Sequence, residues 1–182
     1  VKQNEKPLAL VHEAVKRPKY YNPLVSRRTP RDPNGSLIGV LLPTVPTCRE
    51  IASLLSARAM LRLHEGKTDE AWADLQACHR LARHVAGGGT LIELLVGIAI
   101  DAIAGNADVA FLEHANLNAK QTLEKLKDLQ SLPPFPRAAD KVDITERFMF
   151  LDCIRLLKGG AIGLVDDLVG GDKGAKIGRA HV

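Results

Sequence analysis

The 182-residue chain is 46% hydrophobic but only 4% aromatic, so its core must rest on Leu, Ile, Val and Ala, which suits close-packed helices and disfavours an all-β sandwich. That apolar share excludes wholesale disorder, and the length suffices for a core without disulfides. The net charge of +4 hides an asymmetry: residues 1–31 hold eight Lys and Arg against Glu5 and Glu13, and the rest of the chain is near neutral.

Asn4 to Arg17 shows helical spacing at Leu8, Leu10, Val11, Ala14 and Val15, with Asn4 as a cap, Pro7 in the first turn and Pro18 as the stop. Prolines 18, 23, 30, 33, 43 and 46 then rule out a long helix, so residues 18–46 read as an extended, basic arm. Within it, Asp32-Pro33-Asn34-Gly35 signals a turn and Leu37 to Leu42 a short extended piece.

The clearest pattern follows. Thr47 to Glu65 carries apolar residues at helical spacing, Gly66 suits the left-handed position after a helix, and Thr68 reads as the cap of a second helix running to about Val85. The short turn makes the two helices antiparallel. Gly87-Gly88-Gly89 breaks the chain, and Thr90 with Glu93 forms a capping box. Leu91 to Ala104 is apolar almost all round, which predicts a helix buried at the centre, with continuation towards His114 open. Some 14 residues carrying Glu93 and Asp101 fall short of the roughly 20 apolar residues of a membrane span. Asn118 with Gln121 opens another helix, with Leu123, Leu126 and Leu129 inward; Leu132 to Pro136 is a stiff connection; a last helix spans about Ala138 to Leu157. The expected fold is therefore all-α: an irregular array of about five to six antiparallel helices, one domain over 1–158 with its arm at 18–46, then a Gly-rich tail at 159–182.

The hairpin resembles a tetratricopeptide-type repeat. Ala59, Gly66, Ala71, Leu75 and Cys78 carry the likeness, with the stretch from Gly66 to Leu75 the closest piece; it implies close helix approach and a protein-binding role. Arg58 and Arg62 stand where that family prefers Leu and an aromatic, and a copy one repeat further on would put Ile100 at the glycine, so no second repeat follows. The stretches around residues 57–85 and 146–153 are similar to proteins of planctomycete-type bacteria. Ile177 to Val182 resembles a translated sequencing adapter, which would set Arg179 and His181 aside; the coding DNA of those codons tests it. Without an initiator Met, a leader or further domain upstream stays open.

No motif announces chemistry. There is no phosphate-binding glycine loop, nucleophile elbow or zinc spacing, so no cofactor and no metal are expected. Cys48, Cys78 and Cys153 are far apart and read as buried free thiols, which favours a reducing compartment. Glu93 and Asp101 lie on one stripe of an apolar helix. The plain reading is that Glu93 caps the helix and Asp101 pairs with Arg58, Arg62 or Arg147; the sharper one is a buried carboxylate site in an enzyme fragment. His79, Arg80, Arg83 and His84 cluster at a helix C-terminus, where cations suit the dipole and where an anion site is the sharper reading. Asp140, Asp143 and Glu146 are ordinary early-helix acids. Lys16, Arg17, Lys19, Arg27 and Arg28, beside Tyr20 and Tyr21, are the candidate anion- or nucleic-acid-binding group, against the plainer reading of a solvated basic loop. The functional expectation is a non-catalytic helical scaffold that binds protein. The alternatives are the enzyme fragment, with a deep pocket of unpaired carboxylates, and binding through the basic arm.

Overall fold

A computed structural model describes residues 4–26, 28, 35–37, 40, 42 and 44–158. Every regular element among them is helical, as the composition requires, and there is no strand. The chain divides into two compact units, Val1–Asn22 with Leu42–Lys141 and Pro23–Leu41 with Val142–Val182.

The first unit holds six helices: α1 Glu5–Ala14, α2 Thr44–His64, α3 Thr68–Ala86, α4 Leu91–His114, α5 Ala119–Gln130 and the short α6 Ala138–Lys141. Helices α2, α3 and α4 pack on one another and form its body. Small residues face each other there: Ala52, Ala59, Ala71, Ala82, Ala86 and Ala104 are all fully buried. At Gly97 an added Cβ would stand 2.6 Å from the Ala82 carbonyl and from the Ala86 methyl, so glycine is what lets α4 lie directly against α3. One core cluster joins Leu8 and Val15 of the N-terminal segment to Leu55, Cys78, Leu81, Val85 and Ile100. A second gathers Trp72, Leu75 and Phe111, the two aromatic rings 5.2 Å apart and tilted by 36°. Asp128 of α5 accepts from the Trp72 indole N–H at 2.8 Å.

Several local expectations change. Helix α2 starts three residues early, because Pro46 falls in its first turn, where no intrahelical amide bond is lost. Gly66 takes φ +75°, as its place after α2 requires. Thr68 does not cap α3; Lys67 occupies that position without a side-chain bond, and Asn4 likewise makes none at α1. The Thr90–Glu93 and Asn118–Gln121 capping boxes both form. Helix α4 runs for 24 residues and is not buried all round: Leu94, Gly97, Ile100, Ala104 and Phe111 face the core, while Ile92, Leu95, Ile98, Val109 and Leu112 stand about half exposed. It takes the continuation to His114 that the sequence left open, and it is the one described helix long and apolar enough to cross a membrane. Leu123 and Leu126 of α5 also face outward, since only Leu129 reaches the Trp72 cluster.

In the second unit the expected last helix is broken. A π-helical turn, Val142–Glu146, precedes α7, Arg147–Lys158. Of its apolar residues only Leu156 is buried, and Ile144, Phe148, Phe150, Leu151 and Leu157 are exposed. Asp152 accepts from the Leu37 backbone N–H at 2.7 Å and so ties this helix to residues 35–37. The Asp32–Asn34 part of the turn, half of the Leu37–Leu42 piece, Arg27 and the tail from 159 lie outside the described residues.

Candidate functional site

The first unit assembles three polar features from helices that are otherwise apolar. The first lies inside the hairpin. Asp74 projects from α3 at a position flanked by Ala71, Leu75 and Cys78, on the buried face, and it is fully enclosed. Arg58 of α2 grips it with two bonds, Nη2 to Oδ1 at 2.5 Å and Nε to Oδ2 at 2.9 Å. Arg62, one turn on, donates to Oδ2 at 2.9 Å, and His12 of α1 donates from Nε2 to Oδ1 at 2.6 Å. Burial opposes ionisation of Asp74, but His12 and the two guanidinium groups outweigh it and hold the carboxyl below its ordinary range. The arginines that depart from the tetratricopeptide pattern therefore pair within the hairpin.

The second lies between α3 and α4. His79 is clamped by two carboxylates one heptad apart on α4: Asp101 at 2.6 Å from Nδ1 and Asp108 at 2.8 Å from Nε2. Burial alone would disfavour a charged ring, yet the bonds to Asp101 and Asp108 prevail and push His79 up to about 9. Arg83 adds a short contact to Asp101 and lays its guanidinium over the Phe135 ring, 4.4 Å from its centre. Asp101 is held low, because His79 and Arg83 overcome its desolvation.

The third is Glu93, fully buried at the start of α4. It accepts from the Thr90 backbone N–H at 3.0 Å, from the Thr90 hydroxyl at 3.0 Å and from the Asn22 amide at 2.7 Å. Gly88 leaves room for it; a Cβ there would collide with the carboxylate.

The proposed group Arg58, Arg62, Glu93, Asp101 and Arg147 is thus not one site. Arg58 and Arg62 go to Asp74, Asp101 goes to His79 and Arg83, and Glu93 caps α4. Arg147, in the second unit, is exposed with its guanidinium over Phe148. The sequence reading overlooked Asp74, Asp108 and His12. Asp74 was detectable, since it interrupts the buried stripe of α3, and Asp108 repeats Asp101 after two helical turns. His12 carried no signal, because its partner is distant in sequence.

One cavity in this unit, about 720 Å³, has no carboxylate among the described residues that line it. Lys16, Arg17, Pro18 and Tyr20 form one side, Arg80, Arg83, His84 and Gly87 of the α3 end a second, and Ser131, Leu132 and Pro133 a third. His84 donates from Nε2 to the Val15 carbonyl at 3.1 Å and fixes the first wall against the second. Of the candidate anion-binding group, Lys16 and Arg17 line this cavity; Lys19 is exposed and does not, Arg28 is exposed in the second unit, and Arg27 lies outside the described residues.

Of the cysteines only Cys78 is buried; Cys48 and Cys153 are half-buried, against the expectation for all three. Burial pushes the Cys78 thiol up to about 12. Among the described residues no cluster of His, Cys, Asp and Glu is arranged to hold a metal ion. Comparison with protein-family models, curated proteins and solved structures finds no match for this chain.

Proposed function

We propose that the chain is a non-catalytic helical scaffold whose role is protein interaction, and that the bare side of α4 is its contact surface. The observation that carries this is the row Ile92, Leu95, Ile98, Val109 and Leu112, each about half exposed along one side of a helix whose other side is committed to α2 and α3. A run of this kind makes an apolar patch on the order of 400 Å², the size that on a soluble protein marks an interaction site. Asp74, Asp101, Asp108 and Glu93 of the first unit each accept from at least one donor, which is in keeping with structural ion pairs and a cap.

The shape of the row favours a helix as its occupant. Large side chains stand at both ends, and the middle is Ala99, Ala102 and Gly105; a Cβ added at Gly105 meets open space. Four of the five large residues are also placed symmetrically, while Ile98 mirrors onto the exposed Asn106. Counting from Ala102, Leu95 and Val109 lie seven positions away on either side, and Ile92 and Leu112 ten. A second copy laid antiparallel therefore sets Leu95 against Val109 and Ile92 against Leu112, as a two-fold contact demands. Two such faces bury about 800 Å² together, below the usual stable interface, so association is reversible and concentration-dependent.

Sedimentation velocity across a concentration series tests this. The full chain is expected to shift from monomer towards dimer, and Ala102→Arg, which drives a charge into the crossing point, to remain monomeric with unchanged helix content. A chain monomeric throughout, or one that instead partitions onto phosphatidylcholine vesicles through the same residues, overturns the reading.

A further inference from the structure

We propose that the cavity at the end of α3 is a binding site for a small organic phosphate, a phosphomonoester with a flat or apolar body. This goes beyond the scaffold reading and does not depend on it.

Every ionisable side chain in the wall that carries formal charge at neutral pH is positive: Lys16, Arg17, Arg80 and Arg83. Helix-dipole compensation is the plain explanation for Arg83, in the last turn of α3. It does not reach Lys16 and Arg17, which belong to a different segment and are brought to the same space by the fold. Two of the four are spoken for, Lys16 by Glu13 at 2.8 Å and Arg83 by Asp101. Arg17 and Arg80 have no carboxylate partner among the described residues. Two guanidinium groups without an ion pair among the described residues, one from each of two lining segments, match a doubly charged head group better than a single carboxylate, and their planar forks suit phosphate oxygens.

The remaining wall suits an organic body. Val15, Pro18, Leu132 and Pro133 are apolar, and the Tyr20 ring lies 6.4 Å from the His84 ring at a 35° tilt, giving a two-ring side. The Tyr20 ring is half-buried in this wall, and burial pushes its hydroxyl up. A volume of about 720 Å³ lies within the range of small-molecule sites. It is a half-open cleft walled by three segments of the chain, and its volume suits a single small ligand.

Titration calorimetry on the full chain tests the assignment with adenosine monophosphate, adenosine, and a single-stranded oligonucleotide lacking a terminal phosphate. Saturable one-to-one binding of the monophosphate, with none of adenosine, is expected. Arg17→Ala and Arg80→Ala, both at exposed positions, should each weaken it about tenfold, the effect of one charge-assisted bond, with circular dichroism unchanged. Arg49→Ala, an exposed cation on α2 outside the cavity, should leave it as it was. No saturable binding up to about 10 mM overturns the proposal, as does equal loss in all three variants or binding of the oligonucleotide alone.

Discussion

Removing Asp74 puts the interior of the hairpin to a quantitative test. Its carboxylate takes two bonds from Arg58, one from Arg62 and one from His12, and it is wholly enclosed. Adding charge-assisted bonds at about 1.5–3 kcal/mol each would overshoot, because partners sharing one acceptor do not contribute additively. The governing cost is the charge left behind. The Arg58 side chain is 6% exposed and cannot turn to water, whereas that of Arg62, at 25%, can. Stranding one buried guanidinium costs about 3–5 kcal/mol, and the loss at Arg62 adds under 1. Asp74→Ala should therefore destabilise the first unit by about 4 kcal/mol, and Asp74→Asn, which keeps volume but not charge, by about 3. Urea unfolding followed by Trp72, the single tryptophan and buried in this unit, reads the effect directly. The double variant Arg58→Met with Asp74→Leu should recover most of the loss, since it removes both charges and fills the space. A cost below about 1 kcal/mol for Asp74→Ala, or a double variant as unstable as the two single losses combined, would refute the account.

Two further outcomes follow from the same unit. Because His79 is raised to about 9 from 6.5, its stabilisation is complete below pH 6.5 and is lost as pH climbs through 9; unfolding free energy should fall by on the order of 3 kcal/mol across that window, and His79→Gln should flatten the profile. Gly97→Ala should destabilise by about 1–2 kcal/mol despite alanine's better helix propensity, because its methyl would meet the Ala82 carbonyl and Ala86 at 2.6 Å; calorimetric melting that shows a gain would mean α3 and α4 can separate freely.

The helices were legible because each carries its own local signature. Gly66 needed φ > 0, Thr90–Glu93 and Asn118–Gln121 met three residues apart, and low aromatic content pointed to close-packed helices. Thr68 failed as a cap because cap geometry depends on how the chain leaves the turn at Gly66, which residue identity alone does not fix. The hydrophobicity of α4 identified a helix, but which half of it would be covered depended on where α2 and α3 lie; the same composition serves a buried helix and one with a bare side. Pairing was decided by tertiary structure throughout. Arg58 and Arg62 announced a need for an acid, and sequence offered Asp101 as readily as Asp74; the antiparallel hairpin, which sets α2 and α3 side by side, gave them Asp74 and left Asp101 to His79 and Arg83. The cationic cavity was hidden for the same reason. Lys16 and Arg17 are more than 60 positions from Arg80, and only the docking of α1 and the segment after it beside the end of α3 brings their charges around one space.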